Sequence, residues 1–165
     1  NKKDLKELVK IALGCFPKDF LDKKNNEKNN AISWVKERLN NKEFSRYHVA
    51  ELDGKIVGYV YNLMIGGVSG ILQLEQIGVG SDYKGKGIGK SLILESEKFW
   101  VNYFKNKFNK PLIKILLTTA EINDQAHNLY AKCGFKYETT IKNLYFGNNE
   151  QIWIKEIKKI KEKED

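Results

Sequence analysis

Three glycines at alternate positions, Gly85, Gly87 and Gly89, stand between an apolar run ending at Ile77-Gly78-Val79 and an amphipathic run beginning near Gly87. Glycine lets backbone reach positive φ and approach a ligand closely. A glycine turn that opens a helix aims free N–H groups outward, and the helix N-terminus adds partial positive charge. Such a turn suits a phosphate, and Lys84, Lys86 and Lys90 add cationic charge around it. Taken alone, the same residues read equally well as a tight strand-to-helix turn with no ligand.

Two common nucleotide loops fail on spacing. A P-loop needs a glycine five residues before Gly89-Lys90-Ser91, and that position is Lys84. A dinucleotide fingerprint starting at Gly85 needs its third glycine at position 90, which is lysine. The stretch Lys84-Gly85-Lys86-Gly87-Ile88-Gly89 after Val79 is instead similar to the phosphate turn of the GNAT N-acetyltransferases. A second stretch resembles a later helix of that family: Asn123-Asp124-Gln125-Ala126-His127-Asn128-Leu129-Tyr130-Ala131-Lys132-Cys133-Gly134-Phe135. It also reads locally as a helix. Asn123 or Asp124 suits a cap, Ala126, Leu129, Tyr130 and Cys133 recur at helical spacing, and Gly134 suits a left-handed terminator. On spacing alone Tyr130 is a half-buried core aromatic.

The 165 residues suit one domain with a real core, and 41% apolar content with 12% aromatics argues against disorder. The net charge of +8 comes almost wholly from lysine, with arginine only at 38 and 46. Such a balance suits nucleic acid, an anionic surface or an anionic cofactor. The lysines are interleaved with acids and asparagines, and no nucleic-acid-reading motif is present, so nucleic acid is disfavoured as a partner. Cys15 and Cys133 are distant, and His48 and His127 isolated, which gives no zinc spacing and no expected metal. Two lone cysteines fit a reduced, cytoplasmic protein. No signal peptide and no run of membrane-spanning length is visible.

Leu5, Leu8, Val9, Ala12 and Leu13 predict a helix closed by Pro17. Residues 22–30 read as a polar loop and 31–39 as a second helix. Strands are expected at 47–51 and 56–65, joined by Asp53-Gly54, and at 70–79. A long helix follows from Gly87, with Ile88, Leu92, Phe99, Trp100 and Tyr103 as its buried stripe. Residues 112–118 read as a strand, 123–133 as a helix, and 135–146 and 150–157 as a hairpin around Gly147-Asn148-Asn149. The expected fold class is α/β in layers (α+β): one domain over 1–157, with a central mixed, mostly antiparallel sheet flanked by helices. A charged tail over 158–165 is expected to fray. The family's sheet begins with a strand before the first helix; this sequence opens at that helix, so that strand is expected to be missing or replaced.

The resemblance implies acetyl-CoA as cofactor. It implies that backbone groups of Ile77 and Val79 pair with the pantetheine arm beside a strand bulge. It implies that the amides from Gly85 through Lys86, Gly87, Ile88 and Gly89 to Lys90 hold the pyrophosphate. Lys84 stands where the family has Arg or Gln, keeping charge without bidentate geometry. Asn123 either bonds the pantetheine or caps its helix. Tyr130 is the implied acid for the CoA sulfur, and the Val79 N–H the donor to the thioester oxygen. Glu75, four residues before Val79, is the candidate base, sharing a face with Ile77 and Val79 if the strand is unbroken. His127 is a weaker candidate base, one turn before Tyr130. The implied activity is acetyl transfer to a primary amine, on a polyamine, another small molecule, or a protein or peptide. Asp19, Asp22, Glu27, Glu37 and Glu43 offer negative charge toward a cationic acceptor. A non-catalytic acyl-CoA-binding module on the same fold is the alternative, and a homodimer stays open.

Overall fold

The computed structural model describes residues 2–15, 27–40, 43–145 and 147–157. The expected loop over 22–26, the closing Pro17, the acids Asp19 and Asp22, and the charged tail over 158–165 lie outside these residues. Eleven elements follow in order: α1 (Lys2–Cys15), α2 (Glu27–Asn40), β1 (Ser45–Leu52), β2 (Lys55–Ile65), β3 (Ile71–Val79), a single 3-10 turn (Ser81–Tyr83), α3 (Ile88–Phe108), β4 (Lys114–Ala120), α4 (Asp124–Lys132), β5 (Lys136–Tyr145) and β6 (Asn148–Glu156). The sheet is six-stranded, in the order β1-β2-β3-β4-β6-β5. β1 with β2, β4 with β6, and β5 with β6 run antiparallel; β3 with β4 runs parallel. The fold is thus a mixed, mostly antiparallel central sheet flanked by helices.

The chain divides into two compact units. The first comprises residues 1–63 and 74–96. Its core joins Leu8, Val9, Ile11 and Ala12 of α1 to Val35 of α2 and Tyr59 of β2. Glu7 on α1 accepts a hydrogen bond from the Ile56 N–H at 2.6 Å, fixing α1 against the start of β2. The sheet is clamped from both faces where it lacks side chains. A Cβ at Gly78 would lie 3.0 Å from Ile11 and 3.1 Å from the Tyr59 ring. A Cβ at Gly58 would lie 3.2 Å from Leu92 and 3.3 Å from Ile88. Glycine at these two positions lets α1 and the start of α3 rest on strand backbone.

The second unit comprises residues 64–73 and 97–165. Trp100 and Phe104 of α3 are buried, and Phe99, Tyr103 and Phe108 pack around them, with Phe99 stacked on Tyr103 at 5.7 Å. The β3–β4 ladder runs over three pairs, from Ile71 with Lys114 to Gln73 with Leu116. Lys155 on β6 pairs with Glu97 on α3, both largely buried.

Several boundaries differ from the sequence reading. α2 begins at Glu27, so residues 27–30 are helical rather than loop. The buried positions of α3 are Leu92, Ile93, Ser96, Trp100 and Phe104, while Ile88, Phe99 and Tyr103 lie half-buried on its flank. A stripe at spacing four fits the observed face better than the stripe expected, and Ser96 is accommodated because its hydroxyl donates to the Ile93 carbonyl at 2.9 Å. β4 runs from Lys114 to Ala120, two residues later than expected, because Thr119 and Ala120 pair with Gln151 and Glu150 of β6. Asn148 pairs with Tyr145, so Asn148 and Asn149 belong to β6 rather than to the turn.

Candidate active site

Burial along β3 alternates from Ile71 to Val79, the residues from Leu74 on belonging to the first unit. Leu72, Leu74, Gln76 and Gly78 are buried. Glu75, Ile77 and Val79 are half-buried; Glu75 meets Arg38 of α2, and Gly78 lies against α1 and Tyr59. The Cys15 thiol, at the end of α1, lies 3.6 Å from the Val79 carbonyl and donates to it.

Beyond Val79 the chain turns at once. The Gly80 N–H donates to the Val57 carbonyl at 2.8 Å, and the 3-10 turn closes with Tyr83 N–H to the Gly80 carbonyl at 2.9 Å. Gly85 and Gly87 have φ of +76° and +79°, a region that residues with a Cβ enter only under strain. A Cβ at either position would meet nothing within 4 Å. The glycines are thus there for the backbone path, and the space beside them is open. The Ser91 N–H makes the first bond of α3, to the Gly87 carbonyl at 3.0 Å. The N–H groups of Ile88, Gly89 and Lys90 precede that bond and have no partner within the helix. No acidic residue stands in the first turn of this 21-residue helix. Its positive end is left to whatever anion comes from outside. Lys84, Lys86 and Lys90 are exposed around the turn, and the Lys86 ammonium sits 5.4 Å over the Tyr83 ring. These features fit a diphosphate held mainly by backbone amides.

Glu75 is tied down by a residue that sequence reading missed. Arg38 of α2 donates from Nε to Glu75 Oε1 at 3.1 Å, and its Nη2 bonds to the same oxygen. The guanidinium also lies 5.7 Å over the Tyr61 ring. Tyr47, Tyr59 and Tyr61 pack edge to face and tilted nearby, with Tyr47 5.5 Å from Tyr59 and 4.6 Å from Tyr61. Burial pushes all three phenols up, so they stay protonated.

In the second unit, α4 carries Asn123 and Tyr130. The Asn123 side chain caps the helix, accepting from the Ala126 N–H at 3.2 Å. Tyr130, seven residues on, is 6% exposed and packs against Phe135 with centroids 6.0 Å apart. Burial, with Cys133 adding to it, raises its phenol well above the ordinary value, so the hydroxyl holds its proton. Gly134 ends the helix at φ +89°, as the sequence suggested. His127 is turned to a structural task. Its ring stacks on Trp153 at 5.4 Å, and its Nε2 lies 3.2 Å from the Ala120 carbonyl.

Both cysteines are free thiols, Cys15 half-buried and Cys133 buried. Among the described residues no group of three or more His, Cys, Asp or Glu is placed to hold a metal ion, and no helix is long and apolar enough to cross a membrane.

Comparison with known proteins bears on the whole chain. Residues 5–135 match the acetyltransferase (GNAT) family. An N-alpha-acetyltransferase of Sulfurisphaera tokodaii is 31% identical over 117 residues, 66% of each chain. N-acetylaspartate synthetase of Xenopus tropicalis is 31% identical over 100 residues, 60% of this chain and 34% of that one. The chain thus spans just under two thirds of the first relative and about one third of the second. Among solved structures, PaiA N-acetyltransferase from Thermoplasma acidophilum in complex with coenzyme A is similar in fold, with a TM-score of 0.65 at 21% identity and 93% of each chain covered. The glycine turn opening α3, the tyrosine on the capped helix α4 and the match over residues 5–135 lead to one assignment: the chain belongs to the acetyltransferase (GNAT) family.

Proposed function

We propose that this protein is an acetyl-CoA-dependent N-acetyltransferase acting on a primary amine. The observation that carries the reading is the turn from Val79 to Lys90, with two left-handed glycines and a helix start bearing no acid. Acetyl-CoA supplies an acetyl group as a thioester. The amides from Gly85 to Lys90 hold its pyrophosphate, and the backbone groups of Ile77 and Val79 pair with the pantetheine arm as an added strand. Lys84 contributes charge, and Asn123 serves the site by capping the helix that carries Tyr130.

Four tasks fall to the residues. Glu75 takes the proton of the attacking ammonium, directly or through a water, because only the neutral amine has a lone pair. The Val79 N–H donates to the thioester oxygen as negative charge gathers there. Tyr130 gives its proton to the sulfur as the carbon–sulfur bond breaks. Glu75, Ile77 and Val79 lie within five residues of β3, which brings base and cofactor to one strand. A half-buried carboxylate on that strand supports the first task, and a buried, protonated phenol the third.

The test is release of free thiol from acetyl-CoA with three acceptors: spermidine, a peptide with a free N-terminus, and an N-terminally blocked peptide containing lysine. The expected result is release that needs at least one of these amines, with the acetyl group recovered on its nitrogen by mass spectrometry. Release at the same rate without any amine contradicts the reading and indicates a thioester hydrolase.

A further inference from the structure

We propose that Arg38 is a positioning residue for Glu75: from α2 it holds one carboxylate oxygen and leaves the other to receive the acceptor's proton. The proposal deepens the reading above and rests on Glu75 being the base. Both bonds from Arg38 end on Oε1, and Oε2 takes no hydrogen bond from any described residue. A glutamate reaching from a strand otherwise rotates freely about its side-chain bonds. Two donors on one oxygen stop that rotation and fix where the second oxygen points. A guanidinium does this through its rigid planar fork, which a lysine lacks. The pair is 20% and 21% exposed, shielded enough for the contact to persist and open enough for a substrate to reach.

The surroundings favour the same arrangement. Tyr47 from β1 and Tyr59 and Tyr61 from β2 all feel the charges of both Arg38 and Glu75, and Tyr61 also feels Glu37. With these phenols neutral, Arg38 is the cation that balances Glu75 in this group. The hydroxyls of Tyr47 and Tyr59 are buried and take no hydrogen bond from a described residue. Buried hydroxyls of this kind call for a water or a ligand atom.

The experiment compares Arg38→Ala, Arg38→Lys, Glu75→Gln and the double variant Arg38→Ala/Glu75→Gln, using the amine identified by thiol release. Arg38→Ala is expected to lower kcat about 10- to 100-fold, the scale of a misplaced catalytic group, with KM for acetyl-CoA unchanged. The double variant should be no slower than Glu75→Gln alone. Added methylguanidinium should restore part of the rate to Arg38→Ala and none to the double variant. Arg38→Lys keeps the charge and loses the fork, so its rate should fall between wild type and Arg38→Ala; this holds the test open should the alanine variant fail to fold. A slow Glu75→Gln beside a full-rate Arg38→Ala overturns the positioning role and leaves Glu75 as base. Equal, additive losses without rescue also overturn it, because they describe a structural contact. A full-rate Glu75→Gln removes the base and the positioning role together.

Discussion

Tyr130→Phe is expected to lower kcat by about 10²–10⁴-fold while leaving the affinity for acetyl-CoA nearly unchanged. The substitution removes one oxygen from a ring that is 6% exposed and packed on Phe135, so the fold of α4 is left intact. What is lost is a proton donor for the leaving sulfur. Burial sets the sign of the pH effect. The phenol's pKa is raised in the folded chain, so its acid form persists as pH rises through the ordinary tyrosine range. The wild-type rate should accordingly not fall there through loss of this proton. Steady-state kinetics with calorimetric titration of acetyl-CoA separates the two effects. A full-rate Tyr130→Phe removes Tyr130 as the essential acid.

Glu75→Gln is expected to cost about 10²-fold in kcat/KM near neutral pH. Glutamine fills the same space and can still accept from Arg38, yet it takes no proton. The loss should fall on the chemical step, seen in single-turnover transfer, with the affinity for acetyl-CoA unchanged. A raised KM for the acceptor at full kcat would mean that Glu75 only binds the acceptor, and an unaltered rate would assign the proton to solvent.

Much of this architecture was legible because it is local. Gly85 and Gly87 announce their left-handed turn by residue type, and Asn123, Tyr130 and Gly134 mark a capped and terminated helix within a dozen positions. The strand carrying Glu75, Ile77 and Val79 was legible from its apolar run, and its burial alternates along β3. α3 was harder to orient. Phe99, Trp100, Tyr103 and Phe104 offer two adjacent aromatic pairs, and hydrophobicity does not tell which member of each faces inward. Packing selected Trp100 and Phe104. The Arg38–Glu75 pair joins residues 37 apart on a helix and a strand, so no periodicity links them. The one sequence signal was scarcity. Of 29 basic residues only two are arginine, and one of them stands where a planar fork meets a carboxylate. His127 shows the converse: its place on α4 invited a catalytic role, and only the stack with Trp153 and the contact with Ala120 revealed a structural one.

The central claim is that the glycine turn and the end of β3 hold acetyl-CoA. Thermal unfolding with and without acetyl-CoA, beside ATP and NAD, tests it most directly. At about 100 times its dissociation constant a ligand stabilises the folded state by roughly 2.7 kcal/mol, which for a chain of this length raises the midpoint by about 5–10 °C. The expected result is that rise with acetyl-CoA, and little with ATP or NAD. A folded sample, free of carried-over coenzyme, whose midpoint does not move with acetyl-CoA contradicts the account.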